Sequence, residues 1–139
     1  MIGPAQLHHV AYVVVDLDAA LPLFVARFGL VEEVRELMPE QGVEAVMLAA
    51  GGAGVELITP LDPEGAIARF LDKRGEGLHH VAFGVRDIDA ALAELADAGA
   101  ELIDAVPCRG LGGHRVAFIH PRSGAGALTE LVEIHDGAH

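Results

Sequence analysis

Residues 7–21 read LHHVAYVVVDLDAAL, and residues 78–92 read LHHVAFGVRDIDAAL. Shifted by 71 positions the two stretches agree at eleven of fifteen places, and Tyr12/Phe83 and Leu17/Ile88 are conservative exchanges. A repeat of this kind decides the fold, because each copy is a supersecondary unit too small to bury a core alone.

Each copy opens with an apolar, β-branched run that predicts a buried strand. A helix follows. In the first copy Asp16 or Asp18 can cap it, Leu17, Leu21, Phe24, Val25 and Phe28 keep helical spacing, and Gly29 offers a stop. Pro22 sits awkwardly inside that pattern. In the second copy Asp87 or Asp89 caps, and Ile88, Leu92 and Leu95 make the inner stripe. Three short strand candidates follow each helix, separated by Gly and Pro clusters. They are LVEEVRE, GVEAVMLAA and GVELIT in the first half, and AELIDAV, HRVAFIH and ALTELVEI in the second.

The expected architecture is therefore α+β. One domain, 1–139, holds two tandem βαβββ modules at about 5–60 and 76–135 that share a partly open, barrel-like sheet cleft. A linker over 61–75 joins them, with Asp62 as cap and Pro63 at the first helical position of a short helix ending near Gly75.

Composition narrows the function. Fifty-two per cent of the 139 residues are hydrophobic and the mean hydropathy is +0.40, ample for a packed core. No apolar run reaches membrane-spanning length. The opening MIGPAQLHHV lacks a basic segment followed by a long apolar block, so no signal peptide is expected. Cys108 is the single cysteine, which rules out an internal disulfide framework. These features predict a soluble, cytoplasmic protein. The net charge of −12 argues against nucleic acid, which needs a basic face. Against that acidity, residues 105–129 contain no Asp or Glu but carry Arg109, Arg115 and Arg122 with His114 and His120. They read either as ordinary solvated cations or as a landing site for an anionic ligand.

The repeat also has chemical content. Each first strand supplies a histidine pair, and each last strand a glutamate in an apolar frame: Glu56 in GVELI and Glu130 in LTELV. An unpaired carboxylate in such a frame is costly to bury. Two imidazoles and two carboxylates converging from equivalent strands would suit one divalent cation, with Zn, Co, Ni and Mn all compatible. Neighbouring strand residues face opposite ways, so one histidine of each pair would look into the cleft. The sequence by itself does not choose between His8 and His9, or between His79 and His80.

Paired HVA strands with two last-strand glutamates resemble the vicinal oxygen chelate superfamily, which includes glyoxalase I, extradiol dioxygenases and antibiotic-sequestering proteins. PEQGV (39–43), AIARFLDKRGEG (66–77), GEGLHHVAF (75–83) and FIHPRSGAGALTELVE (118–133) are most similar to its methylmalonyl-CoA epimerase family. The resemblance implies His9, Glu56, His80 and Glu130 as metal ligands, leaving His8 and His79 structural or exposed. It also implies cobalt as the favoured ion, an acyl-CoA substrate, and Glu130 as one catalytic base. The reaction implied is removal of an α-proton, a metal-stabilised enolate, and reprotonation on the opposite face.

For the second base some members carry a glutamate two residues after GV. Here that place is Ala45 and the glutamate is Glu44, one residue earlier. A bulge after Gly42 would restore its direction; without one Glu44 is an exposed strand carboxylate, and Glu40 is a weaker substitute. Arg109 and Arg115 are candidate contacts for the phosphates of coenzyme A. A glyoxalase-I-like metal-dependent isomerase or lyase and a non-enzymatic small-molecule-binding module of the same fold are the competing readings. Exposed sheet edges in paired modules predict a homodimer.

Overall fold

The computed structural model describes residues 5–135. The reading of MIGPAQLHHV thus falls partly on residues 1–4, outside the described residues. The chain runs β1 (Gln6–Val13), α1 (Leu17–Phe28), β2 (Val31–Met38), β3 (Val43–Ala50), β4 (Ala53–Pro60), α2 (Ala66–Arg74), β5 (Gly77–Val85), α3 (Ile88–Asp97), β6 (Cys108–Arg109), β7 (Arg115–Ile119) and β8 (Thr129–Glu133). It is a mixed α/β protein in which the βαβββ order occurs twice.

The described residues form two compact units, one of Val10–His79 and one that joins the residues up to His9 with those from His80 onward. The division passes through β1 and β5, between His9 and Val10 and between His79 and His80, rather than through the linker. The start of β1 lies with the second repeat: a Cβ added to Gly84 would come 3.6 Å from Gln6 Cγ and 3.1 Å from Ile134 Cγ2.

In the unit Val10–His79, Asp16 is the helix cap. Its side chain accepts from the N–H of Asp18 at 2.9 Å and of Ala19 at 3.4 Å. The helix runs through Pro22 and ends at Gly29, whose left-handed φ of 70° turns the chain out. Leu17, Ala20, Leu21 and Phe24 pack on Val46, Leu48 and Leu57. β3 and β4 form an unbroken antiparallel ladder from Val43↔Pro60 to Ala50↔Ala53, while the β2–β3 ladder shifts between Glu32 and Val34.

The linking helix starts later than predicted. Gly65 stands at its N-cap, because Asp62 is engaged in a turn of its own. The Asp62 carboxylate accepts from Glu64 N–H at 2.9 Å, and its carbonyl from Gly65 N–H at 3.1 Å. Pro63 lies in this turn rather than at the first helical position.

In the unit that begins again at His80, Asp87 caps α3 through Ala90 N–H at 3.0 Å, and Glu133 accepts from Ile88 N–H at 3.1 Å. Ile88, Ala91 and Leu92 pack on Val85, Ala117, Ile119 and Leu131. β5 pairs with β8 in parallel; β8–β7 and β7–β6 are antiparallel. The strand predicted over 100–106 does not form. Leu102 makes an isolated bridge to Ile119, and β6 is only Cys108–Arg109. The ladder is replaced by a clasp: Ile103 and Asp104 N–H both donate to Phe118 O, at 2.9 and 3.1 Å, while the Asp104 carboxylate accepts from Phe118 N–H at 2.8 Å.

Candidate metal centre

Strand alternation sets the site. On β8, Leu131 belongs to the α3 core, so Glu130 and Val132 point to the other face. There Glu130 stands opposite Phe118 on β7 and beside Ala82 on β5. His80 shares Ala82's face, two residues earlier, and its ring meets Phe118 edge-on at 5.2 Å. His9, from the first part of β1, completes the group. Its Nε2 lies 3.1 Å from Glu130 Oε1 and 3.3 Å from His80 Nε2, and His80 Nε2 lies 3.4 Å from the same oxygen. Ala82, Val116 and Val132 form an apolar cluster on that face.

His9, His80 and Glu130 are 3%, 6% and 7% exposed, deep enough for their charges to need compensation. Their donor separations suit a shared ion. Two ligands about 2.1 Å from one cation lie about 3.0 Å apart at a right angle and about 3.4 Å apart at a tetrahedral angle. The observed edges of 3.1, 3.3 and 3.4 Å fall in or at the end of that interval.

Glu56 is buried in the other unit. Val55 and Leu57 pack toward α1, so Glu56 faces the opposite side of the β3–β4 hairpin, directly across from Met47. His9, Glu56, His80 and Glu130 are a buried set of two imidazoles and two carboxylates that could hold a metal ion.

Other expected residues go elsewhere. β3 carries no bulge against β4, so Glu44 shares the face of Val46 and Leu48 and is directed to the α1 side. It accepts from Arg35 Nε at 2.9 Å, and Arg35 Nη1 reaches Asp18 at 2.8 Å. These carboxylates push the Arg35 guanidinium above its ordinary range, through hydrogen bonds from Glu44 first and Asp18 second. Ala45 takes the position on the other face. Glu44, the expected second base, lacks the bulge that would redirect it: β3 keeps its register and turns it away from Glu56's side. Glu40 lies exposed in the short 3-10 turn Pro39–Gln41.

Arg115 is likewise directed to the helix side, where it is half-exposed and paired with Asp89 at 3.0 Å and Glu133 at 3.3 Å. Arg109 is exposed on β6. The two unselected histidines differ: the His79 ring packs on Phe70 at 5.0 Å, whereas His8 Nδ1 lies 2.7 Å from His9 Nδ1. Nothing in the sequence distinguishes the two.

Known proteins resemble this chain over most of its length. Residues 8–118 match the family described as the Glyoxalase/Bleomycin resistance protein/Dioxygenase superfamily. The chain belongs to that superfamily. The ethylmalonyl-CoA/methylmalonyl-CoA epimerase of Cereibacter sphaeroides is 35% identical, over 96% of this chain and 100% of its own. The crystal structure of methylmalonyl-CoA epimerase from Mycobacterium tuberculosis superposes with a TM-score of 0.88 at 37% identity, covering 94% of this chain and 88% of that one. A methylmalonyl-CoA epimerase in complex with methylmalonyl-CoA and NH4+ superposes with a TM-score of 0.90 at 34% identity, covering 96% and 97%. With full-length relatives of this kind, the chain is an isomerase of the epimerase type.

Proposed function

We propose that the chain is a metal-dependent epimerase acting on methylmalonyl-CoA or a similar 2-substituted acyl-CoA. One observation carries the reading: His9, His80 and Glu130 converge within 3.4 Å in a chain similar over its whole length to methylmalonyl-CoA epimerases. His9, Glu56, His80 and Glu130 are the proposed ligands, with cobalt the favoured ion and zinc, nickel and manganese chemically compatible. When bound, a divalent ion supplies Lewis-acid charge to the thioester carbonyl and carboxylate oxygens of the acyl group, which eases loss of the proton between them.

The chain's own residues do the rest. Glu130 removes the α-proton as general base. Ala82, Val116 and Val132, on the same face, keep water from the reacting carbon. Inversion requires a proton to return on the other face, and Glu44 is turned away from that task, so a different group delivers it. Arg109 is proposed to meet the coenzyme A phosphates. Among the described residues no helix is long and apolar enough to cross a membrane. A cytoplasmic homodimer is the proposed working form.

Deuterium incorporation at the α-carbon of methylmalonyl-CoA in D2O tests the proposal. Exchange and inversion are expected with the cobalt-loaded protein. Exchange no faster than with chelator-stripped protein rejects it.

A further inference from the structure

We propose that His8 is a positioning residue for the metal centre: it accepts the Nδ1 proton of His9 and so fixes the tautomer that aims the His9 Nε2 lone pair at the ion. The inference rests on the metal-centre reading above and extends it to a residue outside the ligand set.

Both nitrogens of His9 are engaged. Nε2 faces Glu130 and His80, and Nδ1 lies 2.7 Å from His8 Nδ1. Of two nitrogens so close, one carries the hydrogen and the other the lone pair. A neutral imidazole that ligates through Nε2 keeps its proton on Nδ1, so His9 donates and His8 accepts. His8 then carries its own proton on Nε2. Ligating histidines characteristically have such a partner at the second nitrogen, which sets both ring orientation and tautomer.

The contact is not a by-product of the repeat. Adjacent strand residues point to opposite faces, yet the His8 and His9 rings meet at 5.0 Å. His8 is also backed by His114, whose ring lies edge-on at 5.7 Å and which immediately precedes β7. His79 holds the same repeat position, and its ring packs on Phe70.

Two substitutions separate the acceptor from the ring. His8→Asn keeps an acceptor near the Nδ1 position and loses the ring; His8→Phe keeps a ring against His114 and loses the acceptor. The readout is Co2+ affinity of metal-stripped protein, measured by chelator competition and by the visible absorption of the bound ion. H8F is expected to bind cobalt about 10–100-fold more weakly, and H8N within about 3-fold of the parent. H8F binding as tightly as the parent overturns the inference, and so does H8N falling as far as H8F, since either result leaves His8 as packing alone. Parent protein that binds no Co2+ overturns the metal centre itself, and His8's role with it.

Discussion

Met47 stands directly across the β3–β4 ladder from Glu56, and that pairing turns Glu44, three residues earlier, to the other face. One residue of register separates a carboxylate beside the site from one braced against a helix.

Glu44→Gln is therefore expected to leave α-proton exchange within about twofold of the parent. Its effect falls on the ion pair with Arg35, which is partly exposed, so stability drops by less than about 1 kcal/mol. Exchange kinetics and thermal unfolding check this; loss of exchange in a folded variant would return Glu44 to the chemistry.

Glu130→Gln removes both a metal donor and the proposed base. Exchange is expected to fall by about 10²–10⁴-fold even at saturating metal, with weaker cobalt binding measured separately. Glu56→Gln is expected to weaken the metal without so large a loss once the ion is saturating. Equal losses in the two saturated variants would remove Glu130's special role.

The two arginines should separate in steady-state kinetics. Arg109→Gln is expected to raise KM for the acyl-CoA and spare kcat. Arg115→Gln should leave KM unchanged and lower the unfolding temperature, because Asp89 and Glu133 already engage its guanidinium. The reverse pattern would move the phosphate site to Arg115.

Gly110 is required for close packing rather than for its backbone angle, since its φ of −105° is open to other residues. An added Cβ would lie 2.7 Å from Val116 Cγ1, inside contact distance. Gly110→Ala should cost about 1–3 kcal/mol, most of it recovered in Gly110→Ala/Val116→Ala. A neutral single variant in denaturant unfolding would show that β7 yields freely.

Much of this was legible in the repeat. Asp16 and Asp87 announce the helices, because an acidic cap before an apolar stripe has few other uses. Glu56 and Glu130 stand out as acids in apolar frames. The 71-residue offset even maps Glu44 onto Arg115, and both side chains go to the helix side, whereas the resemblance to a family motif suggested otherwise. The strand expected over 100–106 does not form, because Asp104 satisfies the backbone of Phe118 and supplants it. Asp62 was misread for a similar reason, since a carboxylate that closes its own turn is no longer available as a cap. The unequal fates of His8 and His79 depend on Phe70 and His114, partners far off in the chain.

Glu44 and Arg115 occupy one repeat position with opposite charge, yet both serve an aspartate in the first turn of their helix. Arg115 reaches Asp89 unaided, while Glu44 needs Arg35 as a go-between. The halves have thus diverged as wiring while agreeing as outline. A chimera that grafted β7 in place of β3 would set two guanidinium groups against each other, whereas one transplanting helix, strand and countercharge together would keep its polarity.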